Sequence, residues 1–223
     1  MSATTAAIKT IIFDLGGVIL NIDYDLTSRA FANTFGIADF SSVFSQRSQS
    51  AFMDAFETKR MTAAEFCNHI RSLFPEETAA ATDAKIVDCW NAMLLDIQSN
   101  RIEALKRLRA EGFGIFLLSN INSLHEAEVD KIIERDVLGG LYTWNGLFDR
   151  VFFSHHFGMR KPHPETFRKV LVEIEAEAST TLFLDDSSQH VEGAKLVGIH
   201  AQLVPKEREL NLYNIVHDVL TSL

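Results

Sequence analysis

Thr10-Ile-Ile-Phe-Asp-Leu-Gly-Gly-Val-Ile-Leu20 is the stretch around which the rest of this chain arranges itself. Its first four residues, Thr10 to Phe13, are β-branched or aromatic and almost wholly apolar. A short run of that kind suits a strand covered on both faces, as at the centre of a parallel sheet. Asp14 then stands where the strand should end, with Gly16 and Gly17 close behind. In open α/β sheets, ligands sit in the crevice beyond the carboxyl ends of the strands, and a carboxylate at such an end faces that crevice. The glycines let the main chain turn sharply and approach whatever Asp14 touches.

Beyond Asn21 the pattern changes. Phe66, Ile70 and Leu73, then Ile86, Trp90, Met93 and Leu94, recur at steps of three and four. That spacing predicts helices near Leu26–Phe35, Phe52–Lys59, Ala63–Phe74 and Ala84–Leu95, with no strand among them. Thr62 followed by Glu65 makes a capping-box pattern at the start of the third. Trp90, Met93 and most of the phenylalanines here read as helix-bundle core.

After Asn100, helix and strand alternate. Helices are predicted over Arg101–Glu111 (closed by Gly112), from Asn122 toward Asp136, over Glu165–Glu175 and Val191–Val197, and in the tail from Lys206. Strands are predicted over Phe113–Leu118, Val151–Phe153, Thr181–Leu184 and His200–Val204, and Gly139–Leu147 reads as loop. Strands separated by helices of this length imply βαβ units, hence an α/β fold with a parallel sheet and right-handed crossovers. The expected organisation is an α/β core domain, residues 1–22 and 101–223, interrupted by an all-helical domain, residues 23–100.

The chain has 223 residues, 47% of them hydrophobic, so it can bury a sizeable core. Its formal net charge is −9, with no run of Lys and Arg, which argues against nucleic acid and anionic membrane as partners. An anionic substrate would therefore need positive charge supplied within its own site. The two cysteines, Cys67 and Cys89, give neither a disulfide framework nor a zinc spacing and fit a reduced compartment. Met1–Lys9 lacks the basic and apolar regions of a signal peptide, and Asp14 breaks the apolar run that follows. The expected location is cytoplasmic.

Three strand ends carry polar residues of a specific kind. Ser119-Asn120 follows one strand and Asp185-Asp186-Ser187 another, while Met159-Arg-Lys-Pro-His163 lies on the loop entering the Glu165 helix. A parallel sheet puts all strand carboxyl ends on one edge, so these groups can converge on Asp14. Asp14, Asp185 and Asp186 would then place three carboxylates together, and like charges that close need compensation. A hard divalent cation supplies it, and an oxygen-only donor set specifies Mg²⁺ over zinc or copper. Lys161 adds further positive charge. Phosphate is the natural guest, with Ser119, Asn120 and main-chain N–H groups at a helix start as donors.

Phe13-Asp-Leu-Gly-Gly-Val-Ile19, Leu118-Ser-Asn120, Arg160-Lys-Pro162 and Phe183-Leu-Asp-Asp-Ser187 resemble the four motifs of the haloacid dehalogenase superfamily, in order and over nearly the whole chain. The helical insert resembles that family's C1 cap on a Rossmann-like core. Asp-Leu-Gly-x-Val, Leu-Ser-Asn-x-Asn, Gly-Met-Arg-Lys-Pro and the Glu-Gly-Ala after the paired aspartates are similar to the bacterial α-D-glucose-1-phosphate phosphatase branch. The resemblance implies a Mg²⁺-dependent phosphomonoester hydrolase acting on a small phosphorylated metabolite, glucose-1-phosphate-like, through an aspartyl-phosphate. Asp14 would be the nucleophile, and Ser119 would hold the transferring phosphoryl group with Asn120 beside it. Lys161 would neutralise charge. Asp14, Asp186, the Gly16 carbonyl and, directly or through water, Asp185 would hold the metal.

One departure stands out. Family phosphatases usually carry a second Asp two residues after the nucleophile, as general acid and base; here that position is Gly16, as in the glucose-1-phosphate branch. Such a group is typically worth about 10²–10⁴ in rate. An anomeric hydroxyl is a more acidic leaving group than an ordinary alcohol and needs less help. Asp23 reads as a solvated hinge residue in preference to a substitute acid. The alternatives are a metal-independent haloacid dehalogenase, for which the Asp185-Asp186 pair would be a liability, and a non-catalytic module that binds a phosphorylated ligand. His155, His156 and His163 fit no zinc spacing and read as loop histidines. Phe52, Phe56 and Trp144 read as packing residues.

Overall fold

A computed structural model describes residues 7–41, 43, 50–137, 144–207 and 209–223. The first strand, β1 (Thr10–Phe13), leads into four helices: α1 (Tyr24–Phe35), α2 (Ala51–Glu57), α3 (Ala63–Leu73) and α4 (Asp83–Asn91). Then come α5 (Ser99–Ala110), β2 (Gly114–Ser119), α6 (Ser123–Asp136), α7 (Trp144–Leu147) and β3 (Arg150–Phe153). They are followed by α8 (Ser154–Phe157), α9 (Pro164–Glu173), β4 (Thr181–Asp185), α10 (Ser188–Lys195), β5 (His200–Leu203) and α11 (Leu212–Ser222). A 3₁₀ turn over Ala178–Thr180 introduces β4.

The five strands form one parallel sheet in the order β3-β2-β1-β4-β5, with β1 at its centre. Period-2 alternation sends neighbouring residues of each strand to opposite faces. Ile11, Phe13, Ile115, Leu117, Leu182 and Leu184 join one hydrophobic cluster, while Ile12, Leu118 and Phe183 join another. Every residue of β1 and β4 is buried, which explains their continuous apolar sequence.

A third cluster is confined largely to the helices between β1 and α5. It holds Phe31, Phe40, Met53, Phe56, Phe66, Ile70, Ile86 and Trp90. Thr62 and Glu65 form the expected capping box. The chain enters and leaves this region side by side: Asn21 N–H donates to the Asp96 carbonyl at 2.9 Å, Leu95 N–H to the Asn21 carbonyl at 3.0 Å, and Asp23 N–H to the Met93 carbonyl at 2.9 Å.

The expected elements differ from the observed ones in small ways. Trp144–Leu147, read as loop, is a helical turn whose Trp144 indole donates to Asp130 at 2.8 Å; positions 138–143 of that segment lie outside the described residues, as do 1–6. Ser154–Phe157 and Ala178–Thr180 are further short helical turns, too brief for periodicity to reveal. Among the described residues no helix is long and apolar enough to cross a membrane.

Candidate active site

The central position of β1 sets the geometry. Phe13 pairs with Leu117 of β2 and Leu184 of β4, so Asp14 emerges from the sheet edge between the ends of its two neighbours. Its own N–H still donates to the Leu184 carbonyl at 2.9 Å. The chain then turns tightly, with Gly17 N–H on the Leu20 carbonyl at 2.8 Å. Gly17 has φ +77°, and a Cβ there would lie 2.6 Å from Asp186 Oδ2. This glycine is what lets the turn lie against the β4 carboxylates. Gly16 is different: its φ is not in the left-handed region, and a Cβ there would meet only the Ile22 side chain, at 3.0 Å.

Lys161 is fully buried and lies between two aspartates, Nζ 2.8 Å from Asp14 Oδ1 and 2.6 Å from Asp185 Oδ2. Its loop is held from both sides. The Asn120 side chain donates to the Lys161 carbonyl and accepts from its N–H, both at 2.9 Å. On the far side, Gly193 of α10 packs so closely that a Cβ would sit 2.3 Å from the Pro162 carbonyl oxygen. Gly193 belongs to the Glu-Gly-Ala run after the paired aspartates, and that contact is the physical reason for its glycine.

Asp185 is also fully buried, and both its oxygens are engaged. Oδ1 accepts from Ser187 N–H at 2.8 Å, Oδ2 from Lys161, and His190 Nδ1 lies 3.0 Å from each. Asp186 instead lines the pocket with Asp14, Gly16, Ser119 and Asn120. The structure thus brings together every residue expected at the site, but not in equal roles. The Asn120 amide closes on the Lys161 main chain while the residue also lines the pocket. Asp185 holds Lys161 and His190, and its carboxylate also falls with Asp14 and His190 in a group whose ligand atoms lie within 4.8 Å of one another.

The electrostatics follow. Burial pushes the Asp14 carboxyl up to about 8, the Asp185 and Asp186 carboxylates add to the rise, and Lys161 opposes it. Asp185 is held below the usual carboxylate range: burial acts against its charge, but Lys161 and His190 outweigh it. Burial would lower Lys161, yet Asp14 and Asp185 hold it above its ordinary value. Asp14 and Asp185 share Lys161, and Asp186 has Lys206 Nζ at 3.7 Å, so three carboxylates at the sheet edge face two lysines. A hard cation between Asp14, the Gly16 carbonyl and Asp186 fits that donor set.

Other pocket residues carry no role assigned from the sequence, although Arg160 belongs to one of its motifs. Tyr24, Met53 and Glu57 reach it from the helical insert, and His125, Arg160 and His190 from the core. Burial, then the Asp186, Asp14 and Glu57 charges, raise the Tyr24 phenol well above its usual value. His125 stacks on Trp90 with centroids 4.7 Å apart, and burial lowers it to about 4. Met93, read as insert core, is buried and also lines this pocket. Asp23 caps α1, its Oδ1 accepting from Asp25 N–H at 2.9 Å. Phe56 is core, and Phe52 packs against Phe66 and His69. The adjacent histidines do converge, against expectation: His155 and His156 both bring Nε2 to the Glu126 carboxylate, at 2.6 and 3.0 Å. His163 stands apart, at the start of α9.

Comparison with known proteins identifies the family. Residues 8–198 match the haloacid dehalogenase-like hydrolase family, and the chain belongs to it. A D-ribitol-5-phosphate phosphatase of Bacteroides thetaiotaomicron is 28% identical over 86% of this chain and 89% of its own. A sesquiterpene phosphatase of Aspergillus oryzae is 26% identical over 86% of this chain and 87% of its own. A crystal structure of a haloacid dehalogenase family enzyme from B. thetaiotaomicron, in complex with magnesium and inorganic phosphate, superposes with a TM-score of 0.78 at 27% identity. It covers 91% of this chain and 97% of that one.

Proposed function

We propose that this haloacid dehalogenase-like hydrolase is a Mg²⁺-dependent phosphatase of a small, polyhydroxylated phosphate monoester. The observation that carries the reading is the buried Asp14–Lys161–Asp185 chain beside a pocket that also holds Ser119 and Asp186. Asp14 attacks phosphorus through one oxygen and becomes an aspartyl-phosphate, while the P–O bond to the leaving group breaks. Lys161 holds the other Asp14 oxygen and offsets the negative charge that gathers as the phosphoryl group transfers. Ser119, at the end of β2, donates its hydroxyl to a phosphoryl oxygen. Asp185 keeps Lys161 charged and in place, and Asn120 fixes the loop that carries it.

Asp14, the Gly16 carbonyl and Asp186 would hold Mg²⁺, which supplies positive charge to the phosphoryl oxygens when bound. Direct ligation is assigned to these three, with Asp185 acting through the lysine. Helices α1 to α4 act as the cap that reads the leaving group. The finer reading is an anomeric phosphate such as glucose 1-phosphate, because Gly16 supplies no acid and an anomeric oxygen leaves with less help. The phosphatase relatives support phosphate ester chemistry over dehalogenation. The acidic pair at the end of β4 supports it as well.

Rapid-mix kinetics on p-nitrophenyl phosphate test this. With Mg²⁺, a burst of nitrophenol matching one enzyme equivalent should precede a slow steady rate, since no base at Gly16 helps water attack the aspartyl-phosphate. Chelator should abolish both phases. Full activity in excess chelator would overturn the metal assignment, and no release of nitrophenol with Mg²⁺ would favour the dehalogenase alternative; a linear trace would mean that another group transfers the proton.

A further inference from the structure

Arg160 adjoins the catalytic lysine in sequence, yet nothing described so far uses it. Its side chain is nine-tenths buried and lines the pocket. Nη2 lies 3.0 Å from Glu57 Oε2. Among the described residues, Nε and Nη1 find no acceptor, and no donor is aligned on Glu57 Oε2. Glu57 is the last residue of α2, on the helical insert, while Arg160 belongs to the loop that positions Lys161. The two therefore meet at the pocket wall, one from each side. Buried polar atoms without partners are uncommon and costly, and at the wall of a pocket they mark where ligand atoms belong.

We infer that Glu57 and Arg160 form the subsite that reads the leaving group, and that it takes an uncharged, hydroxyl-bearing leaving group over one carrying a second anion. The inference rests on the phosphatase reading and deepens it. A hydroxyl is both donor and acceptor. It can accept from a free guanidinium N–H while donating to the Glu57 carboxylate, which matches the pair atom for atom. A carboxylate or second phosphate would satisfy Arg160 but meet the like charge of Glu57 in a poorly solvated place. The two charges cancel, so the subsite offers hydrogen bonds without a net field. An apolar leaving group would leave Arg160 Nε and Nη1 without acceptors, which a polar site penalises strongly. The Glu57–Arg160 pair thus selects among phosphate esters by their hydroxyls, while the phosphate itself is held by the strand ends.

The test compares wild type, Glu57→Gln and Arg160→Gln on three kinds of substrate with Mg²⁺ present. The first is the better of α-D-glucose 1-phosphate and D-ribitol 5-phosphate; the others are α-D-glucuronic acid 1-phosphate and p-nitrophenyl phosphate. In both variants, kcat/KM for the polyhydroxylated substrate, relative to the aryl phosphate, should fall about 10- to 100-fold, as for a lost hydrogen bond to a charged group. In Glu57→Gln alone, kcat/KM for the glucuronic acid ester relative to the aryl phosphate should rise, because Arg160 no longer has its charge balanced. A gain on one substrate is not something general damage to the fold can produce. Parallel loss on all three substrates, or unmoved ratios, would overturn the subsite while leaving the phosphatase reading intact. Wild-type turnover of the aryl phosphate alone would also overturn the subsite. No turnover of any substrate by wild type would sink the phosphatase reading, and this inference with it.

Discussion

The sheet edge and the helical insert face the same pocket, but they are built from different materials. At the sheet edge, charged groups are buried and tied down: Lys161 and Asp185 are fully enclosed, and each has partners from separate strands or loops. In the insert, stability comes from stacked rings. Phe31 and Phe40 lie 3.8 Å apart by centroid, Phe56 and Phe66 4.5 Å, and Phe66 and Trp90 4.8 Å. Few insert side chains, Tyr24, Met53 and Glu57 among them, reach the pocket. Positions at the sheet edge are set by backbone register and by a closed network, so changing one member disturbs the rest. Met53 belongs to the ring cluster as well, but Tyr24 and Glu57 stand outside it, so these two can vary without unmaking the bundle. Under the proposed function, reaction chemistry and leaving-group choice can therefore change independently.

The largest expected effect tests whether the sheet-edge network is as closed as it looks. Asp185→Ala leaves Lys161 buried with one partner fewer, and should cost about 3–5 kcal/mol of unfolding free energy in urea. Asp186→Asn, measured in Mg²⁺-free buffer, should stay within about 1 kcal/mol of wild type, because it removes one charge from a crowded acidic cluster. It should nonetheless lose Mg²⁺ binding by calorimetry. Equal destabilisation by the two substitutions would erase the distinction drawn between the neighbouring aspartates.

A smaller effect is expected at Gly16. Because its φ is ordinary and a Cβ would press only on the flexible end of Ile22, Gly16→Asp should fold. Steady turnover of p-nitrophenyl phosphate should then rise about 10²-fold and the burst should disappear. Gly17→Ala is the matched control: its positive φ and the 2.6 Å approach to Asp186 predict loss of stability and no gain. An unchanged rate in a folded Gly16→Asp protein would show that the second proton transfer already has a base.

The smallest effect lies where the two regions meet. His125 of α6 stacks against Trp90 of α4 and is held near 4 by burial, against 6.5 ordinarily. Between those values the unfolded chain binds a proton that the folded chain does not. Stability from this residue is therefore complete above about pH 6.5 and falls as the pH drops toward 4. Urea denaturation should show wild type losing about 2 kcal/mol more than His125→Gln between pH 7 and pH 5. Parallel curves would mean that His125 is charged in the folded protein and that this junction is wetter than it looks.

Much of this was legible in the residues themselves. Apolar period and capping chemistry are local, so the alternation of strand and helix, the helical insert and even the Thr62–Glu65 box could be read directly. Where elements were missed, at Trp144–Leu147 and Ser154–Phe157, they were single turns without a period to detect. The convergence of Asp14, Ser119, Lys161 and Asp186 also followed from sequence, because a parallel sheet puts every strand's carboxyl end on one edge.

What the sequence determined alone was thus an α/β chain with its polar groups at strand ends and a helical insert after the first strand. These depend on neighbours in the chain and on the fixed geometry of parallel strands. Only the tertiary structure decided which oxygens of Asp185 are occupied, that the Asn120 amide clasps the Lys161 loop, and that Gly17, not Gly16, needs to be glycine. It also decided that Glu57 meets Arg160. Hydrogen bonds and ion pairs of this kind are settled by packing between segments far apart in the chain, and no local spacing encodes which partner a buried polar atom finds.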